Sequence, residues 1–272
     1  MNVRALLLLA HLRVVLIAPF FLAYCLIADI VLRTAFFLRP DMSKMRMVHW
    51  VTQGGWWMLS CGLGLRYEFD PRLRALAGRP GGVIVVANHN SPLDPLVLLL
   101  TFGPHKVRFI SRPGIMRGIP LVSMAYRANE SLEFGPDPRT NLANLKWLSA
   151  RLNDDGGVVV IFPEGRKVAD TYAKVLSFNS SILRVLSTAA PNALVLPLAV
   201  SGSHSAWPHA RAFPRPRTRI KLIVADRRVS DMRSLSGKPA ERETTETLER
   251  EIRMHLHNAA QENRPWTPSL TH

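Results

Sequence analysis

VIVVANHNSPLDPLVLLLTF, residues 83–102, is the stretch that decides the fold. Val83–Ala87 is a continuous apolar, β-branched run, the mark of a strand covered on both faces. Ser91 is a natural N-cap and Pro92 suits the first helical position, so a helix is expected from Pro92 to about Phe102. A buried strand that turns directly into a helix is half of a βαβ unit.

The same alternation continues outward. Val107–Ile110 reads as a strand, Asn141–Leu152 as a helix and Val158–Phe162 as a second fully buried strand. Ser177–Ala189 reads as a helix, and Leu194–Val200 and Ile220–Val224 as two further strands. Upstream, Leu65–Phe69 is a short extended piece, and Arg72–Gly82 is a basic turn region punctuated by Gly and Pro. Leu248, Ile252, Leu256 and Ala259 recur at helical spacing in a charged stretch, so an amphipathic surface helix is expected there. The expected class is therefore α/β, a mostly parallel sheet flanked by helices.

The N-terminus differs in kind. Val14 to Ala28 carries no charge, and apolar character resumes around Asp29 and Arg33 as far as Leu38. As a helix the clean run spans about 22 Å, short of the roughly 30 Å hydrocarbon core. A signal peptide is the main rival, with Arg4 at its basic end, but no small-residue cleavage site follows. A second apolar stretch, Val48 to Leu65, does follow, and carries Trp50, Trp56 and Trp57, a residue type that prefers the membrane interface. Arg4 and Arg13 precede the first segment, and Arg33, Arg39, Lys44 and Arg46 come after it. Basic flanks at both ends suit a membrane-embedded helical hairpin that dips into one leaflet better than a single crossing.

The chain has 272 residues and a formal net charge of +15, spread from end to end. That sign favours phosphate-bearing partners; with an apolar hairpin present, the expected partner is a phospholipid bilayer rather than nucleic acid. The two cysteines, Cys25 and Cys61, form neither a disulfide framework nor a metal cluster. A reducing compartment is the default, which puts the expected catalytic part on the cytoplasmic face of the inner membrane.

Chemistry concentrates in Asn88-His89-Asn90-Ser91-Pro92-Leu93-Asp94. His89 falls in the strand-to-helix turn, at the carboxyl end of a strand, where open α/β sheets place their active sites. Asp94 falls in the first helical turn, able either to cap the helix or to fold back onto the imidazole. A carboxylate on one ring nitrogen fixes the tautomer and leaves the other to act as a base. Ser91 is better explained as a cap than as a nucleophile, and Cys61 sits in the anchor, away from any acyl-carrier role. His204 and His209 flank Trp207-Pro208 with no third ligand nearby, so no metal site is expected. Arg211, Arg215, Arg217, Arg219 and Lys221 precede or open the last strand; they suit an anionic lipid, an acidic acyl carrier protein, or a solvated sheet edge.

Three blocks in register resemble the glycerolipid acyltransferases, the family of 1-acylglycerol-3-phosphate acyltransferases. Asn-His-x4-Asp is matched by His89 and Asp94, Phe-Pro-Glu-Gly by Phe162-Pro163-Glu164-Gly165, and the apolar strand around proline by residues 195–200. The resemblance covers roughly residues 65–225. With the hairpin and the last helix read above, the expected domains are residues 1–66, a membrane-anchoring helical hairpin, and 67–272, an acyltransferase domain with its C-terminal amphipathic helix. The resemblance implies His89 as general base, Asp94 as its partner, and Glu164 with Gly165 in the acceptor-phosphate site. Independently, Gly165 lets a ligand approach the backbone, and Arg166 supplies phosphate-matching donors.

The second family block fits less well. Arg112 takes its basic position and Ile119-Pro120 matches, but Ser123 replaces a glycine and Pro136 falls where an arginine belongs. Arg112, Arg117, Arg139 or Arg166 are the candidates to replace that arginine at the phosphate. The expected reaction passes an acyl group from acyl-CoA or acyl-carrier protein to lysophosphatidic acid, with no cofactor. The alternatives are a different acceptor (glycerol-3-phosphate, another lysophospholipid or a lyso-ornithine lipid), a lipid hydrolase lacking a Gly-x-Ser-x-Gly elbow, or a non-catalytic lipid-binding module.

Overall fold

A computed structural model describes residues 3–39, 43–103, 105–163, 190–208, 214–224 and 246–257. The expected helix Ser177–Ala189 and the triplet Glu164, Gly165 and Arg166 lie outside these residues.

The apolar runs form the strands they promise. β2 (Val83–Ala87), β3 (Val107–Ser111), β5 (Val158–Ile161) and β6 (Leu194–Ser201) are joined by β1 (Arg66–Glu68), β4 (Leu132–Glu133) and β7 (Arg219–Val224). Among the described residues these make one sheet in the order β1-β7-β6-β2-β5-β3-β4. Every neighbouring pair is parallel except β6 and β7. Pro197 lies within β6 opposite Val86 of β2, and the described pairing with β7 runs from Leu198 to Ser201.

Period-two alternation along β2 separates two layers. Val83, Val85 and Ala87 pack with Leu93, Val97 and Phe102 of α4 (Leu93–Phe102) and with Leu59 and Leu63 of the N-terminal hairpin. Ile84 and Val86 pack on the other face against Leu145, Leu148 and Leu152 of α7 (Pro138–Asp155). Leu248, Ile252 and Leu256 join that second layer from a helix at 246–257, so the expected C-terminal amphipathic helix forms over its described part. α7 starts earlier than its periodicity suggests, because Asp137 caps it by accepting from Arg139 N and Thr140 N, with Pro138 next in line. The turn region after Pro71 contains a short helix, α3 (Arg72–Leu76).

The hairpin is α1 (Val3–Leu38) and α2 (Lys44–Leu63). They run antiparallel: Ile17 lies against Gly62, Tyr24 Oη donates to Val51 O at 2.6 Å, and Leu32 packs with Val48. A Cβ on Gly62 would come within 2.7 Å of Ile17 Cδ1, so the helices touch through a residue without a side chain. The uncharged run of about 22 Å is only part of α1, which continues as helix to Leu38. Asp29 pairs with Arg33 one turn on, at 2.6 Å, and the helix runs through both. Leu12–Leu38, 27 residues, holds an 18-residue window with a mean hydropathy of 2.5, long and apolar enough to cross a membrane. Only 6% of that window is buried, which excludes a core helix.

At the amino ends of β3 and β5 an ion-pair network ties the sheet to α7. The Arg108 side chain is fully buried and grips the Asp155 carboxylate with both terminal nitrogens, while also meeting Glu130 Oε2 at 2.9 Å. Lys106 Nζ adds a contact to Glu130 Oε1 at 2.6 Å. Burial pushes both carboxyls up, but hydrogen bonds and charge from Arg108 and Lys106 outweigh it and hold both below their ordinary values. Ionised carboxylates therefore stabilise the fold. Their contribution is complete above the ordinary unfolded carboxylate range and is lost as pH falls through the lower folded values. Asp155→Ala is expected to cost about 2–3 kcal/mol at neutral pH, less than a fully buried pair because both carboxylates keep solvent contact. Denaturant titration should show the wild-type advantage shrinking as pH is lowered through that window; a difference independent of pH refutes the assignment.

Candidate active site

All of β2, β3, β4, β5 and β6 point their carboxyl ends the same way, and the loops there gather the candidate residues. His89 follows β2. Pro92 already has helical dihedrals (φ −59°, ψ −18°), so Ser91 is the physical N-cap of α4. Its Oγ accepts from Leu93 N at 3.2 Å and donates to Trp207 O at 2.8 Å, which is the capping role expected of it.

Asp94 does both things open to it. Its Oδ2 accepts from Asn90 N at 2.7 Å and Ser91 N at 2.8 Å, closing a capping box, and meets His89 Nδ1 at 3.0 Å. An oxygen already accepting two N–H bonds is best matched by a third donor, so Nδ1 carries the proton and the basic lone pair belongs to Nε2. The Asp94 side chain is fully buried; the His89 side chain keeps 17% of its surface exposed at the sheet edge.

Two groups not singled out in the sequence hold this turn. Asn88 bridges to β6, with Nδ2 donating to Val200 O at 3.0 Å and Oδ1 accepting from Val200 N at 2.7 Å. Phe162, directly after β5, stacks on the His89 ring with centroids 4.3 Å apart and planes at 20°. Phe109 and Tyr126 continue the stack. Burial pushes the Tyr126 phenol well above its ordinary value, so that ring stays neutral. The signal for Phe162 was present: a bulky ring at the end of the strand beside β2.

The candidate arginines are less tightly gathered. Arg112 follows β3, Arg117 lies on the short helix α5 (Ile115–Gly118), and Arg139 sits in the first turn of α7. All three are exposed at the carboxyl edge, beyond the direct contact that joins His89 to Asp94. Ser123, on α6 (Val122–Ala128), is buried and ties down the loop between α5 and α6. Its Oγ accepts from Ile119 N at 3.0 Å and donates to Ile115 O at 3.2 Å. No group of metal-ligating side chains forms among the described residues.

Residues 72–201, which include the whole His89–Asp94 turn and five of the seven strands, match the family model described as Acyltransferase. That stretch, just under half of the chain, is what is similar to the acyltransferase family. No curated protein sequence matches the chain significantly. Among solved structures, the chain is similar in fold to the 1-acyl-sn-glycerophosphate (LPA) acyltransferase PlsC from Thermotoga maritima. The TM-score is 0.68 at 19% identity, over 95% of this chain and 100% of that one. That likeness speaks for the fold, a mostly parallel sheet flanked by helices with an apolar N-terminal helix.

Proposed function

We propose that the chain is a membrane-associated O-acyltransferase that moves a fatty-acyl group from a thioester to the sn-2 hydroxyl of lysophosphatidic acid, giving phosphatidic acid and free thiol. The observation that carries this reading is the 3.0 Å contact of His89 Nδ1 with a buried Asp94 carboxylate at the carboxyl edge of the sheet. Nε2 takes the acceptor's hydroxyl proton as its oxygen adds to the thioester carbonyl; the C–S bond then breaks and the leaving thiolate takes that proton back from the imidazolium. Asp94 holds the tautomer and offsets the transient positive charge. Glu164, Gly165 and Arg166, together with Arg112, Arg117 and Arg139, are the proposed acceptor-phosphate residues.

The outer face of the hairpin supports a bilayer location. Val15, Phe20, Ile27, Ile30 and Phe37 are exposed along α1. Trp50 and Trp57, one heptad apart on α2, are both about two-thirds exposed, at 69% and 68%. α2 packs on the domain and Asp29, three-quarters of the way along α1, accepts from Leu121 N at 2.9 Å, which suits a hairpin lying in one leaflet beside the domain.

A second reading, a different acceptor, is favoured by the Ser123-braced loop and by Pro136 at the position of the family arginine. A panel separates the two. Thiol release from one acyl-CoA is followed with lysophosphatidic acid, glycerol-3-phosphate, a larger-headed lysophospholipid and a lyso-ornithine lipid in turn. Lysophosphatidic acid should give the highest kcat/KM, by about tenfold or more, the order of one charge-assisted contact. Release at an equal rate with no acceptor would make the chain a hydrolase and end the transferase reading.

A further inference from the structure

A basic cleft of about 420 Å³ lies between the base of the hairpin and the outer edge of the sheet, lined by Arg13, Cys61, Arg66, Arg217, Thr218 and Arg219 with Gly64. Its volume is that of a small-molecule site. Register assembles it: Arg66 and Arg219 are Cα partners on the parallel strands β1 and β7, which sets two like charges side by side. Arg217 is held in a left-handed conformation (φ 56°) by its N–H bond to Leu63 O, and Arg13 enters from α1. Glu68 answers Arg219 at 3.2 Å; among the described residues no carboxylate answers Arg13, Arg66 or Arg217. A backbone outlier and an uncompensated group of planar, fork-shaped cations in one cleft are what a phosphate-bearing ligand would offset.

Position narrows the ligand. β7 runs antiparallel to β6, so its first residues lie at the same sheet edge as His89. β7 is two strands from β2, at about 4.8 Å each, and Arg219 lies about three residues beyond the level of His89; together these give a separation on the order of 14 Å. The phosphate of a lysophosphatidate sits only a few ångströms from its reacting hydroxyl, so that lipid cannot fill the cleft while it reacts. The pantetheine arm of a coenzyme A thioester spans about 15 Å when extended, the reach of four to five extended residues.

We propose that this cleft binds the nucleotide phosphates of the acyl-CoA donor, with its thioester end reaching His89. The identity of that ligand rests on the acyl-transfer reading; a non-reacting phospholipid head group brings the same phosphate chemistry, and the test separates the two sources. Cys61 lines the cleft and is exposed, so its alkylation by a maleimide reports occupancy in the purified full-length chain in neutral detergent. Free CoA should slow Cys61 labelling about tenfold, and dephospho-CoA less, each lost phosphate contact being of that order. The double variant Arg66→Gln, Arg217→Asn, whose asparagine tolerates the left-handed backbone, should lose this protection. It should also raise KM for acyl-CoA about tenfold with kcat and the lysolipid KM within about twofold.

Phosphatidylglycerol vesicles that protect Cys61 where CoA does not would overturn the donor assignment in favour of a lipid head group. Protection by neither would overturn the site altogether. Labelling needs no turnover: a chain that binds CoA in the cleft but transfers nothing sinks the proposed reaction alone, whereas an active enzyme whose Cys61 ignores CoA sinks the cleft alone.

Discussion

His89→Ala should lower acyl transfer by about 10²–10⁴-fold, the usual contribution of a positioned general base, and leave the fold in place. The two expectations come from the same geometry. The imidazole lies at the sheet edge, stacked on Phe162, and meets Asp94 through Nδ1. Without the ring, Asp94 Oδ2 keeps the Asn90 and Ser91 amides, so the helix start survives. Rates are best compared at saturating acyl-CoA and lysolipid, beside the far-UV dichroism of both proteins. A folded variant with a rate within about threefold of wild type would remove His89 from the chemistry, since general-base loss is far larger.

Asp94 should behave differently, because the same oxygen serves the chemistry and the fold. Asp94→Ala removes the acceptor of two backbone amides in a fully buried position, and orphaning each costs about 1–3 kcal/mol. Activity and stability should fall together. Asp94→Asn keeps the shape and one accepting oxygen, but removes the charge that favours the imidazolium and puts an amide NH2 where Oδ1 has no partner among the described residues. The expected result is a smaller stability loss with a rate loss still of about 10²-fold or more. An asparagine variant of near wild-type rate would reduce Asp94 to a helix cap.

The site's centre was legible because it is local. His89 and Asp94 are five residues apart, and a strand, a serine cap and a proline fix the path between them. β2, β5 and β6 were legible because strands covered on both faces leave unbroken apolar runs. β4, with two residues, and α5 and α6, with four and seven, are too short to show a period, and were not read. Asp137-Pro138 was a readable helix start passed over for the apolar period that begins later. Asp29 looked like an interruption of α1 because its partners, one turn on and 92 residues on, appear only in three dimensions. The arginine cleft was hidden for the same reason: positions 13, 66, 217 and 219 meet only once β1 and β7 are in register.

The seam between hairpin and sheet has one further implication. Leu59 and Leu63 share a core with Val83 and Val85, Gly64 turns the chain within one residue, and β1 begins two residues later. Such an anchor is a bracket, not a leash. On the proposed reading, the working edge rides at a set height over the lipid surface and meets substrates arriving sideways through the leaflet. Exchanging the bracket for an unrelated spanning helix would keep the protein on its membrane and strand the chemistry at the wrong altitude.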